Sequence, residues 1–413
     1  MLTFVYNFLC IIVGTILGFA LLISPAAYFI FLLFRLDWAL KHSRRHSLCP
    51  ACHRVIPLTF FLCGCGQTNK LVPSEEEIFY KKCSCGKRLP KLPRHGRDEL
   101  IAVCPNHQPY HPIGKYTGTF PEVVIPIVGG TSTGKSAFLA AWTVYTQGQL
   151  QFQHQVDVTF PFHDGPEYAT NCIQRFRQGV PPVKTSIVNP CSLGMDIVSR
   201  TSRKGMRVFL YDPAGEVFDY QADTSENSLT PFEYYDFMDG VIFVIDPFSL
   251  QPLQKKYPQS LLNNHGFQAS DKRTEDSCDK FIRGLYAHNL GRNEYHYASC
   301  AVVITKVDTF DPKAEAFDLD LLIGKTAVQK KIAANPRMSF EDALDEVCSL
   351  QLKKWGLGHV LELLEQHFKE VRCFSVSAFG HAPQHGKPFD PQRVEMPILW
   401  LLSKKMPKVL ATR

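Results

Sequence analysis

The longest apolar run of the 413-residue chain comes first. Residues 2–34, LTFVYNFLCIIVGTILGFALLISPAAYFIFLLF, contain no Asp, Glu, Lys or Arg. As a helix this run would be about 50 Å long, against a bilayer core of about 30 Å. It therefore suits one tilted or kinked span, with Pro25 as the kink or the end. Arg35, Lys41, Arg44 and Arg45 follow at once and no basic side chain precedes. The positive-inside rule then predicts a single-pass membrane protein with everything after residue 35 in the cytoplasm. A cleaved signal peptide would carry a basic leading region and a shorter apolar run.

Further along, the pattern changes to short continuous apolar runs, each ending in small or polar residues. They are Val123–Val128 before Gly129, Met206–Tyr211 before Asp212, Gly240–Ile245 before Asp246, Cys300–Ile304 before Thr305, and Arg372–Val376 before Ser377. Runs of this length without alternation predict strands buried on both faces, as in a parallel sheet of α/β class. Helical patterns fall at Ala137–Trp142, near Lys280–His288, across residues 339–368, and at Pro397–Leu402 as a closing helix against the sheet. Residues 247–297 are polar and strand-poor. Pro112, Gly114, Gly118 and Pro121 give residues 108–121 the look of a linker. No internal repeat and no second glycine-rich loop is visible.

Composition adds an asymmetry. The net charge is +6, with 45% hydrophobic and 20% charged residues, as in an ordinary folded protein. Residues 35–107, however, hold 13 Lys/Arg against 6 Asp/Glu. The excess positive charge thus lies beside the apolar run. Half of the 14 cysteines fall in the same stretch, in short pairs: Cys49 with Cys52, Cys63 with Cys65, Cys83 with Cys85, and Cys104 with His107. Four N/S donors complete a tetrahedral zinc site, so these eight make two structural Zn2+ ions. The sequential pairing puts Cys49, Cys52, Cys63 and Cys65 on one ion and Cys83, Cys85, Cys104 and His107 on the other. Interleaved pairing stays open, and His53, His95 and His111 are rivals for the eighth position. A disulfide-linked module would conflict with the cytoplasmic side that the charges predict. The basic cluster Lys81, Lys82, Lys87, Arg88, Lys91, Arg94 and Arg97 reads as a solvated face, as an anionic-lipid contact, or, less favoured, as a nucleic-acid contact.

The stretch Gly129-Gly130-Thr131-Ser132-Thr133-Gly134-Lys135-Ser136 joins a predicted strand to a predicted helix. Glycines let such a loop wrap phosphate with backbone N–H groups, and the helix N-terminus adds partial positive charge. This is the P-loop pattern. Lys135 is placed to reach the β- and γ-phosphates and the Ser136 hydroxyl to ligate Mg2+. Asp212, with Gly215 three residues on, ends a second strand; the pair suits Mg2+ and the γ-phosphate. Asp308 in Thr305-Lys306-Val307-Asp308 can accept two hydrogen bonds from guanine N1 and N2, a donor pair that adenine lacks. The Lys306 stem can lie along the purine face, and the Ser377-Ala378 backbone can meet the guanine carbonyl.

With these motifs in this order, residues 122–405 resemble a Ras-like GTPase of the translation-factor-related P-loop class. The whole chain is similar to the double-GTPase group of bacterial conflict and signalling systems. The resemblance implies a P-loop GTPase-like sheet flanked by helices, binding GTP/GDP with Mg2+. Lys135 and Ser136 would bind phosphate and metal, Asp212 and Gly215 would belong to switch II, and Lys306, Asp308 and Ala378 would read guanine. Thr305 stands where the family usually has Asn. Glu216 stands where many relatives place a water-orienting glutamine, which implies slow or partner-stimulated hydrolysis. Thr185, in Pro181-Pro182-Val183-Lys184-Thr185, is the choice for the switch I threonine and Mg2+ ligand, with Thr159 and Thr170 as rivals.

The expected organisation is a transmembrane anchor over 1–36, a tandem zinc-ribbon domain over 37–107, a linker over 108–121, the GTPase domain over 122–405 and a tail over 406–413. The expected function is a membrane-anchored regulatory GTPase that switches recruitment of a cytoplasmic protein partner. The alternatives are a non-hydrolysing GTP-dependent scaffold and a nucleic-acid-binding ribbon regulated by the GTPase domain.

Overall fold

A computed structural model describes residues 13–15, 18, 25, 28, 32, 47–49, 55–56, 60–71, 79–92, 95–106, 110–117, 120–161, 165–182, 191–202, 204–212, 238–257, 259, 269–271, 273–288, 298–308 and 323–405. The chain folds as two compact units, with the break between Thr119 and Phe120. Most of the apolar run 2–34 lies outside the described residues, and the seven described positions within it are helical. Among the described residues no helix is long and apolar enough to cross a membrane.

The first unit is built from short strands. β1 (Ser47–Leu48) pairs antiparallel with β2 (Val55–Ile56). β3 (Phe60–Leu62) and β4 (Thr68–Lys70) form a hairpin, and β5 (Tyr80–Lys82) and β6 (Arg88–Pro90) form another. β7 (Ala102–Cys104) and β8 (His111–Gly114) complete a four-stranded sheet in the order β4-β3-β7-β8. β8 therefore occupies part of the stretch expected to be a linker. It is an edge strand, where Pro112 costs no ladder bond.

The two hairpins repeat one turn. Cys63 N donates to Gln67 O (2.8 Å) and Gly66 N to Cys63 O (2.9 Å). In the second, Cys83 N donates to Lys87 O (2.9 Å) and Gly86 N to Cys83 O (2.8 Å). Gly66 and Gly86 sit at φ 85° and 87°, a conformation that side chains with a Cβ resist. The repeat is hidden in the sequence because only Cys-x-Cys-Gly is shared. Phe61, Leu71, Leu89, Leu92, Val103 and Ile113 are buried and supply a small apolar core. The basic cluster is not one face. Lys82, Lys87 and Arg88 are exposed, but Lys91 and Arg97 are buried. The Arg97 guanidinium lies over the Phe61 ring and donates to Lys91 O.

The second unit is an α/β layer structure around a seven-stranded, mostly parallel sheet. The strands are β9 (Glu122–Val128), β10 (Val156–Thr159), β11 (Cys191–Ser199), β12 (Gly205–Asp212), β13 (Gly240–Ile245), β14 (Ser299–Ile304) and β15 (Glu370–Ser375). Their order is β10-β11-β12-β9-β13-β14-β15. β12, β9, β13, β14 and β15 run parallel, while β11 and β10 are antiparallel additions at one side. β12, β13 and β14 are buried along their whole length, as the continuous apolar runs require. One polar pair interrupts that core. Arg207 and Asp196 face each other across β12 and β11 in a two-point ion pair of 2.6 and 2.9 Å, both side chains almost fully buried.

Helices flank the sheet: α1 (Lys135–Tyr145), α2 (Gly165–Gln178), α3 (Thr274–His288), α4 (Lys325–Ala334), α5 (Phe340–Lys354), α6 (Gly358–His367) and α7 (Glu395–Lys405). α1 packs on α2 and β12, α5 and α6 pack on β15, and α7 packs on β14. β9 lies between β12 and β13, so the chain leaves it first to one side and later to the other. Parallel α/β sheets bind ligands at the carboxyl ends of strands beside such a reversal, which is where the loop 129–134 stands.

Candidate nucleotide site and metal centre

The loop after β9 turns directly into α1. A Cβ on Gly129 would lie 2.8 Å from Val244 O at the end of β13, so only glycine lets the two strand ends close up. Thr133 Oγ1 donates to Gly130 O (2.9 Å) and braces the loop from inside. The buried Lys135 ammonium donates to Gly129 O (2.9 Å) and Gly130 O (2.8 Å), which lays the side chain along the loop it would serve. Ser136 Oγ donates to Asp212 Oδ2 at 2.7 Å, which joins α1 to the end of β12 across 76 residues. A hydroxyl and a carboxylate at this separation are oxygen donors that suit Mg2+.

Two further strand ends meet the same loop. The buried Thr305, after β14, donates from Oγ1 to Thr133 O (2.7 Å) and Ile245 O (3.2 Å). A threonine hydroxyl therefore ties the β14 end to the loop. Lys306 adopts φ 60° and its ammonium donates to Ser132 O (2.8 Å) and Asp246 Oδ2 (2.7 Å). Asp246 and Asp271, whose Oδ1 accepts the Thr131 hydroxyl, carry no motif that would assign them a role from sequence. A strand-end carboxylate within reach of a strand-end lysine is a signal visible only once strand order is known.

Asp308 and Ser377 come together beyond β14 and β15. Burial pushes the Asp308 carboxyl above its ordinary range; hydrogen bonds from Ser377 and its own backbone, with His381 and Arg393, pull partly the other way. Asp308 Oδ2 is buried with no hydrogen-bond partner among the described residues. A carboxylate left in this condition fits a ligand edge rich in N–H donors. Ser377 N and O exchange hydrogen bonds with Gln392 (3.0 and 2.8 Å), and Ser377 Oγ accepts from Gly380 N (2.7 Å), so the backbone around half-buried Ala378 is fixed from both sides. Segment 384–389 is in turn bonded to the end of α2. Gly386 N donates to Gln178 O (2.8 Å) and Phe389 N to Phe176 O (2.9 Å).

The structure thus brings Gly129, Gly130, Thr131, Ser132, Thr133, Gly134, Lys135, Ser136, Asp212, Thr305 and Lys306 to one edge of the sheet, with Asp308, Ser377 and Ala378 beside them. Thr185, Gly215 and Glu216 lie outside the described residues. The rival Thr159 ends β10, three strands away from β9, and the rival Thr170 spends its hydroxyl on Pro166 O of its own helix (2.8 Å).

In the first unit the cysteines assemble differently from the sequential expectation. The Sγ atoms of Cys63, Cys65, Cys83 and Cys85 all lie within 4.8 Å of one another. Cys63 faces Cys85 at 3.6 Å and Cys65 faces Cys83 at 3.7 Å. The two middle pairs therefore meet, through two equivalent turns placed face to face, an arrangement that is neither the sequential nor the interleaved one. Cys49 and Cys104 are buried elsewhere in the unit, while Cys52 and His107 lie outside the described residues. His95 stacks on Tyr80 and His111 pairs in register with Cys104; neither belongs to the cluster.

Four thiols this close cannot all ionise on their own. The Cys85 backbone N–H, then the Asn69 amide, draw the Cys83 thiol down to about 6. The Gln67 backbone also lowers Cys65, but burial and the three neighbouring thiols outweigh it and push Cys65 up to about 11. A divalent cation removes the conflict, so this donor set could hold a metal ion and is consistent with zinc. No protein-family model matches the chain, and no curated protein matches it either.

Proposed function

We propose that the second unit is a P-loop GTPase domain that binds a guanine nucleotide with Mg2+, and that the chain acts as a membrane-anchored regulatory switch. The observation that carries this reading is convergence. Four motifs far apart in sequence meet at the carboxyl edge of one parallel sheet, and the base-side carboxylate Asp308 has an unsatisfied buried oxygen.

In this reading the loop 129–134 and Lys135 receive the phosphates. Ser136 and Asp212 hold Mg2+, which when bound neutralises charge on the phosphate oxygens. Asp308 accepts guanine N1–H and N2–H, Thr305 keeps the base side fixed to the phosphate side, and the backbone at Ala378 meets the guanine carbonyl. Thr185 and Glu216 respond to the terminal phosphate. A carboxylate at 216 makes hydrolysis slow unless a partner assists. The four-cysteine cluster is a zinc site that staples the small first unit. A second zinc on Cys49, Cys52, Cys104 and His107 completes the donor count. Residues 2–34 anchor the chain, the exposed Lys82, Lys87 and Arg88 face anionic lipid, and nucleotide state controls recruitment of a protein partner on the cytoplasmic side.

Equilibrium titration of the purified full chain with GTP, GDP and ATP tests the base assignment. GTP and GDP should bind far more tightly than ATP, and Asp308→Asn should transfer preference to xanthine nucleotides. Equal binding of ATP, or a D308N variant with unchanged preference, overturns it. Turnover measured alone and with cell extract separates the switch from a scaffold that binds without hydrolysis, which Glu216 keeps in play.

A further inference from the structure

The guanine-nucleotide reading gives Asp246 no task, yet it is among the most fully used carboxylates of the second unit. It follows β13 and is completely buried. Its Oδ1 accepts from Phe248 N (3.0 Å), and its Oδ2 accepts from Ser270 N (2.8 Å) and from the Lys306 ammonium (2.7 Å). A buried carboxylate is costly unless paired and hydrogen-bonded, and here both oxygens are engaged. Two of the donors are backbone groups of the β13–β14 connection. The third is the lysine that borders the base site, and the same ammonium donates to Ser132 O of the phosphate loop (2.8 Å).

We propose that Asp246 is the positioning residue of the base subsite: it pins the Lys306 ammonium against the phosphate loop, so that the lysine stem is laid out as a floor for the purine before nucleotide arrives. This rests on the guanine-nucleotide reading and deepens it. The physical reason is preorganisation. A free lysine side chain has much rotamer entropy to lose, and a ligand that had to order it would bind more weakly for that reason. Both acceptors bond a charged donor, but only the carboxylate sets a full opposite charge against the ammonium, in a site where it is screened little by water. The left-handed backbone at Lys306 aims the side chain back across the loop, and Asp246 holds it there. Because the stem meets the face of the base and not its edge, Asp246 contributes to affinity for any purine, while Asp308 contributes to the choice among purines.

The experiment uses the full chain in detergent and measures dissociation constants for GDP, inosine diphosphate and ADP by competition, with melting temperatures recorded on the same samples. Asp246→Asn is expected to weaken all three by the same factor, about tenfold or more. Lys306→Met keeps an apolar stem without the ammonium and should lose a similar factor. Adding Asp246→Asn to Lys306→Met should cost nothing further, because Asp246 then has no lysine to hold. A double variant whose loss is the product of the two single losses overturns the proposal and leaves Asp246 as a brace for Phe248 and Ser270 alone. So does a K306M variant that binds within twofold of wild type, a test that holds even if D246N fails to fold. The guanine reading fails separately, when the wild-type chain binds ADP as tightly as GDP.

Discussion

The first unit takes its four cysteines from two short hairpins that repeat one turn, whereas the second takes its site from the ends of parallel strands, joining residues as far as 174 positions apart. In the sheet, strand direction leaves little choice. Parallel strands put all their carboxyl ends on one edge, so Gly129, Asp212, Asp246, Thr305 and Ser377 share that edge once their strands are in one sheet. In the hairpins nothing comparable acts. Every knuckle offers two equivalent donors, and any combination of two satisfies a tetrahedral ion. Phe61 in one hairpin and Leu89 in the other are both buried.

The sharpest way to break this comparison is to disable the four-cysteine cluster of the first unit, which could hold a metal ion. Structural zinc contributes roughly 10–16 kcal/mol in small domains whose apolar core is slight. Cys83→Ser, or a strong chelator, should abolish amide-exchange protection over residues 60–71 and 79–92 and leave the main unfolding transition of the second unit in place. Cys49→Ser separates the two pairings. Under the cluster seen here it leaves the cobalt-substituted spectrum of the four-thiolate site intact; under the sequential pairing it would destroy it.

A smaller effect should come from the second unit's own buried charge. Arg207→Met leaves Asp196 unpaired between β11 and β12 and should cost about 3–5 kcal/mol. Urea unfolding measures it. Replacing both partners, as Asp196→Leu with Arg207→Met, should recover most of the loss, because the pair's desolvation cost goes with it. If the double variant is as unstable as the single, the pair holds strand register and does more than satisfy itself.

These differences mark how much was legible. The parallel core could be read because strands such as Met206–Tyr211 are apolar at nearly every position, and a strand-ending motif carries its own address. Asp196 with Arg207 could not be read, because a charge inside an apolar run looks like a surface residue until the opposite strand is known. Asp246 was visible as a strand end, but its partner Lys306 comes 60 positions later and on a neighbouring strand. The threonine at 305 shows the converse. Its position at a strand end is plain in the sequence, while its hydroxyl's reach to Thr133 O, 172 residues away in sequence, depends on which strands are neighbours. β8 was misread because Pro112 and Gly114 signal a turn in isolation, although an edge strand accepts both.

The smallest effect concerns pH, and it tests whether the proposed base site is held by Asp308 alone. Burial raises this carboxyl, so without ligand the folded state holds its proton more tightly than the unfolded chain does. Its contribution to stability is then present below the unfolded carboxylate range and is lost as pH rises through the raised value. Guanine demands the opposite form, since only the ionised carboxylate accepts from both N1–H and N2–H. Affinity for GDP should therefore fall as pH drops through the raised Asp308 value, by about tenfold per pH unit at most, while the nucleotide-free second unit gains stability over the same interval. ADP binding should be flat there. In Asp308→Asn the GDP slope should vanish. His381, whose ring contacts Ala382 O and Pro388 O, and Arg393 are the other charged groups acting on Asp308. Arg393 does not titrate in this interval, so His381→Gln is the control. A slope that survives D308N but disappears in H381Q would move the titration to the histidine and would make the base side, like the cysteine turns, a site whose partners sequence order alone does not choose.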